Sequence, residues 1–223
     1  MHAKLISSMR IAALAGVLAV GGCTTYTGSA DNPVERSFTG FSYVAGDDIK
    51  AACAPGSRDH FRFVYNANYE QQIRAYDLKG VEGGADLVAR ARNESGNVAR
   101  LSFSNPLGPW ELDRAQTRLT NTQAANIIAA LDRDAGSAPS AAGQQLASNT
   151  YYWVVAGCSA GNFRIWAFDQ DKVDLSALAF SAALRGYDQT DVGFRAAKRV
   201  EGFADNVFYI KINATADGLV GRL

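Results

Sequence analysis

Histidine is almost missing from this 223-residue chain, which has two, His2 and His60. That leaves little for metal ligation by imidazole or for the commonest general base. Cysteine is also sparse, at three, and no Cys-x-x-Cys pair occurs, so thioredoxin-like redox chemistry has no handle. Neither a Gly-x-Gly-x-x-Gly fingerprint nor a phosphate-cradling Gly-x-x-x-x-Gly-Lys loop is present, which removes the usual signatures of nucleotide binding. Charge of one sign is lacking too: 22 basic residues face 22 acidic ones, so nucleic acid is not an expected partner. The longest uncharged apolar stretch, Ile11 to Val20, has ten residues. A spanning helix needs roughly 20.

What the chain does have begins at its start. Residues 1–22 carry Lys4 and Arg10 and no acidic residue, then the apolar stretch, then Val20-Gly21-Gly22-Cys23. A basic head, a short apolar run and small residues make the layout of a cleaved signal peptide. An aliphatic residue three places before a cysteine, followed by two small residues, resembles the lipobox of bacterial lipoproteins. The resemblance covers the leader and Cys23 alone. It implies cleavage before Cys23, which then carries a thioether-linked diacylglycerol and an amide-linked acyl chain such as palmitate. Several acyl chains make a stable membrane anchor where one is reversible. Thr24 stands where a retention signal for the inner membrane would place Asp, so the resemblance implies the outer membrane, with the domain facing the periplasm.

Assigning Cys23 to lipid leaves Cys53 and Cys158. In an oxidising compartment these two are candidates for a disulfide, the alternative being two separate buried thiols. Loss of the leader leaves 20 basic against 22 acidic residues over a mature length of 201. That length suits one domain with a real core.

Residues 24–37, "TTYTGSADNPVERS", are polar and turn-rich, so 23–37 reads as a lipidated N-terminus and flexible tether. Such a tether spans about 20 Å. The expected domain is 38–223, of α+β class with a largely antiparallel sheet and two helices. Period-two alternation marks strands at 60–67, 71–78, 85–92 and 97–104, each expected to have one face in the core and one solvated. At 120–136 the period switches: Ala124, Ile127, Ile128 and Leu131 share a helix face, Thr120 and Gln123 fit a capping box, and Gly136 fits the end. The small polar stretch 136–149 reads as a mobile loop. Beyond it, 150–158 and 162–168 form a hairpin around "SAG". Residues 174–186 fit a helix capped by Asp174 and ended by Gly186, with a buried strand as the alternative, and 206–214 a closing strand.

Motifs that carry chemistry are few. "GCSAG", 157–161, matches Gly-x-Ser-x-Gly, but a hydrolase elbow needs a following helix and a later histidine. No histidine follows Ser159, and a strand-like run does. Asp169, Asp171 and Asp174 stand close together, yet Val173 and Asp174 fall where a calcium loop wants an oxygen ligand and a glycine. Asp59 and His60 form a possible acid/base pair, and Phe61, Phe63, Tyr65, Tyr69 and Tyr76 with Arg62 and Arg74 a possible stacking platform. A solvated turn, a surface histidine and ordinary core aromatics are the simpler readings. No cofactor, metal ligand or catalytic residue is assigned. The expectation is a lipoprotein attached to the bilayer through acylated Cys23, whose domain binds or scaffolds another envelope protein or polymer. The alternative is a periplasmic hydrolase-type enzyme using carboxylates or His60.

Overall fold

The computed structural model describes residues 25–26, 31, 33–69, 71–93, 112–198 and 207–222; of 33–38, 93 and 221–222 it describes the backbone. Alternation in the chain gives strands β1 (His60–Ala67), β2 (Gln72–Val81) and β3 (Gly84–Asn93), and β4 (Asp113–Thr120) completes an antiparallel meander. The hairpin of β6 (Tyr151–Ser159) and β7 (Asn162–Asp169) adds beside β1, giving a six-stranded sheet in the order β4-β3-β2-β1-β6-β7. A second sheet joins β5 (Gln145–Ala147), β8 (Tyr209–Ile212) and β9 (Leu219–Arg222). The α+β, largely antiparallel expectation is met, with four helices among the described residues in place of two: α1 (Pro33–Ala45), α2 (Asp47–Ala52), α3 (Asn121–Ser137) and α4 (Ala179–Gly186).

Both faces of the large sheet are covered. Phe61, Phe63, Tyr65, Tyr76, Leu78, Trp153 and Phe168 face α3 and α4, which pack against each other and contribute Ile127, Leu131, Phe180 and Leu184. Trp153 sits at the centre, stacked on Tyr65 at 4.8 Å and edge-on to Phe180 at 5.3 Å. Each such buried side chain contributes about 1.5–3 kcal/mol relative to exposure. On the opposite face, Tyr152, Val154, Ala156, Ile165 and Ala167 meet the small sheet through Ile210 and Ile212, while Val64 and Ala75 meet Tyr26 and Tyr43. β1 is therefore buried on both faces, Arg62 and Asn66 included, where one solvated face was expected.

Helix α3 begins as expected, but Gly136 lies inside it and Ser137 is its last residue. Thr120 Oγ accepts from the Gln123 backbone N–H and the Gln123 side chain accepts from the Thr120 N–H, closing the capping box. In the 174–186 segment, Asp174 instead caps a turn through Ser176, and α4 starts five residues later with the Phe180 N–H donating to Asp134 of α3 at 2.9 Å. A cap supplied by a carboxylate 46 positions away is invisible to local pattern.

Three further expectations change. Helix α1 begins inside 23–37, because Pro33 takes the first helical position, where its missing N–H costs nothing, and Thr39 and Tyr43 then share a buried face at i, i+4. Tyr26 is also buried in that stretch, so the flexible-tether reading fails there. The 136–149 stretch holds β5, which pairs with β8 and buries Ala141, Gln144, Leu146 and Ser148. The strand expected at 97–104 lies outside the described residues.

Cys53, at the end of α2, and Cys158, in β6, form a disulfide with a Cα–Cα distance of 5.7 Å, closing a separation of 105 residues. In the chain-entropy account a loop of that length restricts the unfolded chain by about 4.7 kcal/mol. Replacing both cysteines with Ala is expected to leave the circular-dichroism spectrum intact and cut the urea unfolding free energy by about 2–5 kcal/mol. An unchanged unfolding free energy would show that the bridge constrains nothing.

Candidate functional site

The most concentrated chemistry in the described residues is a buried ion network on the α1/α2 side of the sheet. The β1–β2 register sets Arg62 directly opposite Asp77, and the β2–β3 register puts Arg90 diagonal to the same carboxylate. Arg62 Nε donates to Asp77 Oδ1 at 2.7 Å, and its two terminal nitrogens grip both oxygens of Asp48 at 2.7 and 2.9 Å. Asp77 Oδ2 accepts from Arg90 and from the Tyr43 hydroxyl, each at 2.9 Å. Arg90 reaches on to Asp31 at 2.6 Å. The Arg62 guanidinium also lies 3.9 Å from the centre of the Tyr43 ring and 5.0 Å from that of Tyr26.

Burial alone would raise the Asp77 carboxyl; Arg62, neighbouring His60 and Arg90 outweigh it and hold Asp77 well below the usual carboxylate range. Burial pushes the Tyr43 phenol up, reinforced by Asp77, so this hydroxyl stays a donor. Every strong group has a partner, which makes the network a clamp between β1, β2, β3, α1 and α2, with no free reagent among these groups.

On the other face an irregular strap, 188–198, crosses the sheet. Arg74 donates to Asp188, Thr190 and the Val192 carbonyl, and the Tyr76 hydroxyl donates to Asp188 at 2.7 Å. Gln72 holds Gly193 O at 2.8 Å and the Arg195 N–H at 3.1 Å. These bonds lay Phe194 flat on Tyr65, at 4.9 Å, with the Arg185 guanidinium 4.7 Å from its ring. Gly193, Phe194, Arg195, Ala196 and Lys198 line a shallow open depression.

The residues singled out from sequence fall as follows. Ser159 ends β6 and a tight turn leads straight into β7, so the elbow's helix is replaced by a strand. Its glycines have packing reasons: a Cβ on Gly157 would meet the Phe61 ring at 2.3 Å, and Gly161 takes φ 76° in the turn, 2.8 Å from the Pro55 nitrogen on the same construction. His60 Nε2 lies 3.8 Å from Asp77, whereas Asp59 accepts from the Ala160 N–H at 3.4 Å, so the two neighbours serve different partners. Asp169 and Asp174 cap turns through the Asp171 N–H and Ser176. Among the described residues no group of three or more His, Cys, Asp or Glu is placed to hold a metal ion. Phe61, Phe63, Tyr65 and Tyr76 are core and Arg62 and Arg74 are buried in ion pairs, as the simpler reading expects, and Tyr69 alone of the possible stacking platform is exposed. Cys23 lies outside the described residues.

No family model, curated protein or solved structure matches this chain. Its function is therefore read from its own residues. Pattern reading missed Asp48 and Asp77 as partners of Arg62, which are 14 and 15 positions away. The signal that would have found Asp77 was the hairpin register itself. Exposed Phe41 and Tyr69, flanking half-buried Phe208, were also missed as a group.

Replacing Asp77 with Asn leaves two buried guanidiniums short of a counter-charge, and about 3–5 kcal/mol of stability is expected to go at pH 7. Because Asp77 binds its proton more weakly when folded, it contributes fully above about pH 3.9, the unfolded value, and its contribution is lost as pH falls from there toward the depressed folded value. Urea unfolding across pH 3 to 7 is expected to show a smaller acid loss in Asp77→Asn than in the unaltered chain. Parallel curves would place the acid sensitivity elsewhere.

Proposed function

We propose that this chain is an outer-membrane lipoprotein, attached through acylated Cys23, whose α+β domain faces the periplasm and binds or scaffolds another envelope protein or polymer. The observation that carries the reading is the Val20-Gly21-Gly22-Cys23 junction behind a short apolar run. The disulfide supports it: with Cys53 and Cys158 joined, Cys23 is the one cysteine of three left over, and a cystine of this kind belongs to an oxidising compartment. Among the described residues, no helix is long and apolar enough to cross a membrane; in this reading the acyl chains on Cys23 supply the attachment.

A binding role fits the way two of the reagents a hydrolase would use are engaged. His60 lies against Asp77 while Asp59 accepts from the Ala160 N–H, and the strongest ion pairs hold elements together. Cys23→Ala is expected to abolish palmitate labelling and release the protein from membranes; persistent labelling would refute the anchor. In-cell crosslinking tests the binding role. Replacing Asp59, His60, Ser159, Asp169 and Asp171 together is expected to leave the crosslinked partner unchanged, and its loss from a folded variant would favour the enzyme reading.

A further inference from the structure

The stretch after Cys23 is tied down early. Tyr26 is 5% exposed, edge-on to the Tyr43 ring at 4.9 Å, and its N–H donates to Ser42 Oγ at 2.9 Å. Ser42 in turn donates to Asp47 at 2.6 Å. Cys23 precedes Tyr26 by three positions, and three extended residues span about 10 Å at most. Whatever Cys23 is attached to therefore lies within that distance of Tyr26, beside α1.

The same helix opens an aromatic surface. Phe41, next to Ser42, is 43% exposed, and its ring meets Phe208 edge-on at 6.0 Å. Phe208 meets Tyr69 at 4.9 Å, and the Arg92 guanidinium lies 5.9 Å from the Tyr69 ring. This surface is built rigidly around buried Ser148. Its N–H donates to Phe208 O at 2.9 Å, its hydroxyl accepts from the Phe208 N–H at 3.1 Å, and its carbonyl accepts from the Tyr69 N–H at 2.7 Å. The disulfide and the Ala160-Gly161 turn sit at the opposite end of β1 and β6.

We infer that Phe41, Tyr69 and Phe208, with Arg92 beside them, rest in the headgroup region of the bilayer that holds the Cys23 acyl chains, fixing the orientation of the domain on the membrane. The inference rests on the lipoprotein reading. Aromatic rings with a polar or cationic edge suit that region, and a short link keeps even a weak surface contact populated. A bilayer is favoured over a protein partner because the chain leading back to Cys23 is bonded at Ser42, the residue next to Phe41 in α1.

The test uses the full-length protein, purified and reconstituted into phosphatidylethanolamine and phosphatidylglycerol vesicles carrying a diazirine-bearing phosphatidylethanolamine. Mass spectrometry reads two things, the acyl mass on the Cys23 peptide and the sites of lipid crosslinking. Crosslinks are expected on the peptides holding Phe41, Tyr69 and Phe208 and not at the Ala160-Gly161 turn. Phe41→Ser with Tyr69→Ser, both at exposed positions, is expected to lose those crosslinks while acylation and circular dichroism stay unchanged. A Cys23 peptide without acyl mass overturns the anchor and the surface together. Acylated protein whose crosslinks spread evenly, or whose aromatic surface crosslinks to a second copy and not to lipid, overturns the surface alone.

Discussion

One carboxylate, that of Asp77 in β2, ties together β1, β3 and α1. It lies between two guanidiniums and a tyrosine hydroxyl, and through Arg62 the contact extends to Asp48 at the start of α2 and to the rings of Tyr43 and Tyr26. Charges this deeply buried are stabilising only when every donor is answered, because taking ions out of water costs several kcal/mol each. Here each is answered, and the geometry that answers them allows one placement of α1 and α2 on the sheet. Total stability of a domain is about 5–15 kcal/mol, so a network of this kind is a sizeable share of what docks the N-terminal helices.

The two faces of the sheet solve the same problem differently. The α3/α4 face relies on aromatic stacking around Trp153, with the strap pinned over it by Arg74 and Gln72. The α1/α2 side relies on ions and cation–ring contacts together with an apolar cluster of Tyr26, Tyr43, Val64 and Ala75, and Val44 of α1 packs against both this cluster and that of Val154 and Ile210. Lys50 adds a bond from α2 to Asp217 beside β9, and the disulfide adds one from α2 to β6. The N-terminal helices are thus held by polar and covalent ties as well as by apolar contact.

Local chemistry explains which parts were legible in sequence. β1, β2 and β3 show their alternation, β6 and β7 show a hairpin around a small-residue turn, α3 shows its capping box and apolar stripe, and the two cysteines left after Cys23 do pair. What stayed hidden depends on distant partners. Arg62 and Arg74 look solvated in a strand pattern until Asp77, Asp48 and Asp188 are placed, the last 114 positions from Arg74. α1 hides because "NPVERS" has turn composition, and β5 hides because three residues gain strand character only from pairing with β8. Of the two proposed functional surfaces, Cys23 is readable from its neighbours alone. The Phe41, Phe208 and Tyr69 surface is assembled from three separated segments and has no linear signature.

With Tyr26 bonded to Ser42 and packed on Tyr43, a membrane anchor at Cys23 would hold the domain close and oriented. Amide hydrogen exchange at Tyr26 tests this most directly, since its N–H is bonded to Ser42 Oγ beneath a buried ring. The expected result is protection of the Tyr26 amide together with α1, lost in Asp77→Asn. Exchange of Tyr26 at the rate of a free peptide, with α1 protected, would contradict it and return the segment to a flexible leash.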